Sequence, residues 1–229
     1  MQKMKRSPQA LIEKTQIKHY LQEIKLLNQT RDNAILKKIP VIEDSTGNFI
    51  SLACLLYKPK KILEIGCGTG YSTYFLLRNL QNKFRYTGID LNIERISEAE
   101  KFIKGIFKNK KYFSGNLNFI HGDALKIIPV LEEKFDLVFI DAAKFEYLDY
   151  IKSVKEKLNK NAIVIADNIF YKNKIFNKKI TKHDCKSVTG LIGYIEFITG
   201  SNLFKNYFFN IGDGILLSKY KIMDRKGKE

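Results

Sequence analysis

The apolar positions of this chain change rhythm along its length. Over the first forty residues Leu11, Ile12, Ile17, Tyr20, Leu21, Ile24 and Leu27, then Ala34, Ile35 and Ile39, recur three or four apart up to Pro40, which predicts two short helices. Phe49 to Tyr57 predicts another, stopped by Lys58-Pro59. From Lys61 onward strand-length apolar runs at 61–65, 85–89, 117–121, 135–140 and 161–166 alternate with helical spacings at 71–80, 93–107, 123–132 and 145–158. Such alternation implies right-handed crossovers and a parallel sheet covered by helices on both faces. The end of the chain departs from it. After an irregular basic segment at 170–186, a helix at 188–199 precedes strands at 203–210 and 213–219 with only Ile211-Gly212 between them, so these two strands should be antiparallel.

The first chemical signal is the junction of the first strand with its helix. Lys61 to Ile65 runs into Gly66-Cys67-Gly68-Thr69-Gly70, where glycine permits a sharp turn and lets a ligand approach the backbone and the following helix N-terminus. The spacing G-x-G-x-G is not the dinucleotide fingerprint G-x-G-x-x-G, and no Lys-Ser/Thr follows to make a phosphate loop. A dehydrogenase is therefore disfavoured.

Ligands of open α/β sheets sit beyond the carboxyl ends of the strands. Asp90 ends the second strand about 20 residues after the glycine turn, a position suited to ribose hydroxyls, with capping of the next helix as the alternative. Asp123, in His121-Gly122-Asp123-Ala124, either holds an adenine amino group or caps a helix. The next two strand ends carry Asp141-Ala142-Ala143-Lys144 and Asp167-Asn168. Were these strands neighbours, their ends would lie roughly 5 Å apart, and Asp141, Asp167 and Asn168 would converge. Two carboxylates that close repel unless a proton or cation intervenes. Hard oxygen donors without thiolate or imidazole favour Mg²⁺, Mn²⁺ or Ca²⁺ over zinc. Helix capping explains either aspartate alone, and explains the Asp-Asn doublet together with Lys144 less well.

Length and composition add bounds. The 229 residues, 45% hydrophobic and 28% charged, suit one globular domain spanning 1–229, a helical cap over 1–57 and an α/β core over 58–220. No apolar run reaches membrane-spanning length and the N-terminus lacks a signal-peptide h-region, so a cytoplasmic location without membrane association is expected. Three scattered cysteines give neither a disulfide framework nor a thiolate metal site. The formal charge of +16 divides into +6 over 1–60, +1 over 61–150 and +9 over 151–229. A basic exterior around a near-neutral middle suits a polyanion partner, but 34 lysines against 6 arginines also fit a lysine-rich composition without one. His19, His121 and His183 read as structural or solvated.

Taken together, LEIGCGTGYS, the acidic end of the second strand, FDLVFIDAAKFEYLDY, IVIADN and the closing IGDGILLSK resemble the metal-dependent class I S-adenosylmethionine O-methyltransferases, the group of catechol and caffeoyl-coenzyme A O-methyltransferases and their bacterial relatives. The resemblance covers about residues 40 to 220. It implies a Rossmann-like α/β fold with a seven-stranded, mostly parallel sheet and an antiparallel last strand. It further implies that Glu64, Gly66, Gly68, Gly70 and Ser72 surround the methionine end of S-adenosylmethionine and that Asp90 binds its ribose. Asp123, Ala124 and Asp141 complete the cofactor site. Asp141, Asp167 and Asn168 hold the metal, and Lys144 accepts the proton of a metal-acidified hydroxyl.

Members of this family act on small diols, phenolic coenzyme A esters or a hydroxylated wobble uridine of transfer RNA. A small hydroxylated aromatic acceptor is the first expectation, transfer RNA the second, and a non-catalytic nucleotide- or RNA-binding module the third. Relatives commonly carry Arg-x-Phe-Asn on the helix after the metal doublet, where this chain has Gly193-Tyr194-Ile195-Glu196. For an RNA acceptor, Tyr171, Phe176 and Tyr194 are the candidate stacking aromatics. Similar proteins are often dimers, so a homodimer is expected, with the N-terminal helices as lid or interface.

Overall fold

The computed structural model describes residues 17–221 apart from 82, 109–112 and 114, with side chains from residue 21. Helices α1 (Ile17–Leu36) and α2 (Asp44–Tyr57) precede an alternating core. That core runs β1 (Lys61–Ile65), α3 (Tyr71–Leu77), β2 (Phe84–Asp90), α4 (Ile93–Phe107), β3 (Gly115–His121), α5 (Ala124–Val130) and β4 (Phe135–Ile140). A 3₁₀ turn at Lys144–Glu146 leads into α6 (Tyr147–Lys155), followed by β5 (Leu158–Ala166), a second 3₁₀ turn at Lys174–Phe176, α7 (Lys182–Thr199), β6 (Phe204–Phe209) and β7 (Ile215–Tyr220). The seven strands form one sheet in the order β3-β2-β1-β4-β5-β7-β6. Only β7 runs against the rest, pairing antiparallel with both β5 and β6. The expected seven-stranded sheet with a reversed last strand is what forms.

Both faces of the sheet are covered, and the strands sort their side chains accordingly. Along β4 and β5, Val138, Ile140, Val164 and Ala166 enter one core beneath α5, α6 and α7. Leu137, Phe139, Ile163 and Ile165 enter the other, beneath α2, α3 and α4. This period of two explains why these strands read as continuous apolar runs. Strand order reverses between β1 and β4, which opens a crevice at their carboxyl ends.

Several boundaries differ from the sequence expectation. The two short N-terminal helices are one through the described part, because the polar stretch Asn28 to Asn33 contains no glycine or proline to stop it. It ends where Lys38 turns left-handed before Pro40. Leu11 and Ile12, and the side chain of His19, lie outside the described residues. Helix α2 starts at Asp44 rather than 49, since Thr46 and Gly47 are buried and continue its inner face. Helix α7 starts at Lys182, inside the segment read as irregular, where the Thr181 side chain accepts from Asp184 N–H as an N-cap. No helix among the described residues is long and apolar enough to cross a membrane.

Candidate active site

A cavity of about 760 Å³ opens at the crevice between β1 and β4, a volume typical of small-molecule sites. The glycine turn forms one wall. Gly66 N–H donates to Ile89 O (2.8 Å), and Asp141 N–H donates to Ile65 O (3.0 Å), so the ends of β1, β2 and β4 are bonded together at the cavity floor. Gly66 has φ +89°, and a Cβ there would be driven into the Asp141 carbonyl. Gly68, Thr69 and Ser72 line the same wall, with Thr69 Oγ1 buried and without a partner among the described residues.

Asp90 links this turn to the next strand. Its Oδ2 accepts from Gly68 N–H and its Oδ1 from Asn92 N–H, both at 2.9 Å. The cap of α4 is Asn92, whose side chain accepts from Glu94 and Arg95 N–H, so the capping alternative for Asp90 does not hold. Asp123 does cap α5, accepting from Leu125 N–H at 2.9 Å, and also lines the cavity beside Ala124.

Two further residues expected at the cofactor lie just behind this wall. Glu64 falls on the β1 face that points under α3 and is fully buried, off the cavity wall. Its carboxylate accepts from the Ser72, Thr73 and Tyr86 hydroxyls. Burial outweighs these donors and raises its pKa from 4.5 to about 7. Gly70 packs on the backbone of Ala99 in α4 and lines nothing. Both support the turn from behind.

The second wall carries the acidic ends of β4 and β5, which are adjacent parallel strands. Asp141 Oδ1 accepts from Lys144 Nζ at 2.8 Å, and Lys144 also donates to the Tyr147 hydroxyl at 2.9 Å. Burial alone would lower the lysine's pKa, but Tyr147 and Asp141 hold it well above the ordinary lysine range. Helix α7 fixes this turn. A Cβ on Gly190 would stand 2.6 Å from Phe145 Cα and 2.7 Å from Lys144 O. Asn168 lines the cavity in a left-handed conformation, whereas the Asp167 side chain lies just behind it, 1% exposed.

Asp167 is the anomaly of the site. Among the described residues neither of its carboxylate oxygens has a hydrogen-bond partner of good geometry, although the Asn168 N–H and the Lys144 charge both act to lower its pKa. Burial, then the nearby Asp141 carboxylate, raises its pKa to about 7. Buried acceptors without a donor are rare in native structures, and a bound cation is one of the few groups that satisfies them. No three of His, Cys, Asp and Glu gather as a metal cluster among the described residues. The oxygen donors gathered here are the two carboxylates and the Asn168 side chain, a set that suits a hard cation in chemistry.

Three features of the site escaped the sequence. Ile39 to Glu43, after α1, forms a wall of the cavity. Tyr147 anchors Lys144, although its spacing of three on a helix was a signal available to find it. Asp213, in the β6–β7 turn, accepts the Lys172 N–H with both carboxylate oxygens (2.7 and 2.8 Å). It holds a run of three left-handed non-glycine residues, Tyr171, Lys172 and Asn173, at the cavity rim. Of the candidate stacking aromatics, Phe176 is 65% exposed and Tyr171 is partly buried. Tyr194 is fully buried edge-on against Tyr147 and belongs to the core. His121 bonds Leu91 O and His183 is exposed.

A family model described as O-methyltransferase matches residues 14–221. A catechol O-methyltransferase of Niastella koreensis is 27% identical over 145 residues, 62% of this chain and 63% of that protein, so the chain spans just under two thirds of that relative. The tapetum-specific methyltransferase 1 of Arabidopsis thaliana is 24% identical over 213 residues, 87% of this chain and 88% of that protein. Among solved structures, the O-methyltransferase from Bacillus cereus in complex with SAH superposes with a TM-score of 0.75 at 21% identity, covering 86% of this chain and 91% of that one.

Proposed function

The chain belongs to the O-methyltransferase family, and from that premise we propose that it transfers the methyl group of S-adenosylmethionine to a hydroxyl of a small catechol-like or phenolic acceptor, with a divalent metal held by Asp141, Asp167 and Asn168. The observation that carries the metal is the pair of buried Asp167 oxygens, without a well-formed hydrogen bond, beside Asp141. The observation that supports the cofactor is the glycine turn and Asp90, lining the same cavity as Asp141 and Lys144.

In this reading Gly66, Gly68 and Ser72 receive the methionine part of the cofactor, Asp90 its ribose, and Asp123 with Ala124 its base. Glu64, through its bond to Ser72, and Gly70 shape the turn. A divalent cation, Mg²⁺, Mn²⁺ or Ca²⁺, would neutralise the facing carboxylates and acidify an acceptor hydroxyl. Lys144 Nζ, an ammonium donating to Asp141, must give up a proton before it can take the one released, and the cavity walls would hold the two reactants beside it.

A second acceptor class, the hydroxylated wobble uridine of transfer RNA, draws support from the cavity rim. Lys172 lines that rim, and Lys178, Lys179, Lys182 and Lys186 follow it along the chain, with Phe176 exposed and Lys186 over the Phe145 ring at 4.0 Å. Incubation with labelled S-adenosylmethionine and Mg²⁺, offering a catechol panel in one arm and RNA from a strain lacking the gene in the other, tests both. The acceptor that takes label decides the class. Transfer that persists in chelator, or in Asp141→Ala, refutes the metal assignment.

A further inference from the structure

Lys144 is held by two partners, and the chemistry above uses only one of them. The other, Tyr147, opens α6 with its side chain fully buried. Its hydroxyl accepts from Lys144 Nζ at 2.9 Å and has two carbonyls within reach, Asp167 O at 2.9 Å and Ile140 O at 3.2 Å. Ile140 immediately precedes Asp141, and Asp167 is itself one of the proposed ligands. A single phenol therefore joins the lysine to the backbone at both ligand-bearing strand ends.

The ring does not explain the hydroxyl. It is packed against Tyr150 and edge-on against Tyr194 of α7, with ring centres 6.3 and 5.7 Å away, and a phenyl group would fill the same space. The phenol's one proton and its acceptor capacity are both committed to the site. Lysine, by contrast, is a flexible four-carbon stem carrying three donors. With Asp141 Oδ1 and the Tyr147 hydroxyl each taking one donor, the direction of the third is set. Without the hydroxyl only Asp141 and the non-directional contact with the ring, 5.0 Å from Nζ to its centre, would hold it.

We propose that Tyr147 is a positioning residue for methyl transfer: its hydroxyl orients Lys144 Nζ and ties that nitrogen to the ends of β4 and β5, without touching either reactant. The proposal rests on the role given to Lys144 above.

The test is a double-mutant cycle with Tyr147→Phe and Lys144→Met, reading kcat, acceptor KM and S-adenosylmethionine affinity with the metal-supplied enzyme. Tyr147→Phe alone should lower kcat by about tenfold to hundredfold, the range for one lost hydrogen bond to a charged group, and leave KM and cofactor affinity within about twofold. In the Lys144→Met background the same change should cost almost nothing further. A fold-supporting hydroxyl would lower kcat equally in both backgrounds, or not at all, and either result overturns the proposal while leaving Lys144 in place. A Lys144→Met enzyme with full kcat overturns the Lys144 assignment and this proposal together. Should Tyr147→Phe not fold, 3-fluorotyrosine at 147 keeps the shape and weakens the hydroxyl as an acceptor. Its kcat loss, about twofold or more, must vanish in Lys144→Met if the proposal is right.

Discussion

Gly66 lies so close to the backbone of Asp141 that no side chain fits between them, and its φ of +89° is one that other residues adopt at a cost. The turn that lines the cofactor wall and the strand end that carries the acidic wall are thus built against each other. Gly66→Ala should destabilise the protein by about 2 kcal/mol from the backbone conformation alone, and more from the clash with the Asp141 carbonyl. Thermal unfolding and calorimetric titration with S-adenosylmethionine should show both losses. A variant with unchanged melting and affinity would mean that the turn and Asp141 move independently.

Asp167 should respond to metal in opposite ways with and without its charge. Asp167→Asn removes an unpartnered buried carboxylate, so the metal-free protein should melt at a higher temperature, by the equivalent of about 1–3 kcal/mol. The wild type should gain stability on adding Mn²⁺ or Mg²⁺, and the variant should not. Melting curves with and without chelator decide this.

Glu64 sets a pH dependence whose sign can be worked out. Its pKa is about 7 in the folded protein against an ordinary 4.5, so between these values the native state binds more protons than the unfolded state. Stability from this group is therefore present below about pH 4.5 and declines as pH rises to about 7, by at most about 3 kcal/mol. Glu64→Gln should flatten that part of the profile and be the more stable protein at pH 8. Urea titrations at pH 5 and pH 8 measure it, and a steeper profile in the variant would contradict the assignment.

Asp213 should matter to the rim and not to the cofactor. Asp213→Ala removes the acceptor of the Lys172 N–H, a contact to a charged group of about 1.5–3 kcal/mol, from a segment of three left-handed residues. Hydrogen exchange at Lys172 should accelerate roughly tenfold or more, and acceptor KM should rise while cofactor affinity holds. Unchanged exchange would show that the Tyr171 and Lys174 contacts to Asp184 suffice.

The parts of the fold legible in the chain were those written by local rules. Alternating strand and helix periods exposed the crossovers. Two strands two residues apart forced an antiparallel end, whereas the adjacency of the strands that carry Asp141 and Asp167 was only a condition in the sequence and is met by the parallel pairing of β4 with β5. The misreadings also have local causes. Asn28 to Asn33 looked like a break because polarity interrupts an apolar pattern, yet polarity on an outer face does not stop a helix. The lysines of 182–186 hid the first turn of α7 in the same way.

Residue types and spacing by themselves determined the sheet, the glycine turn and the acidic strand ends, because backbone periodicity and glycine's conformational range act within a few residues. Only the tertiary structure decided which of those groups face the cavity and which brace it. Glu64 and Ser72 are eight residues apart and bonded to each other, but Ser72 lines the cavity and Glu64 does not. Asp213 reaches across 41 residues to Lys172, and Tyr147 gathers Lys144, Ile140 and Asp167 through one hydroxyl. Such partners depend on how strands and helices pack in three dimensions, where a side chain's neighbours are set by the layers around it and not by its distance along the chain.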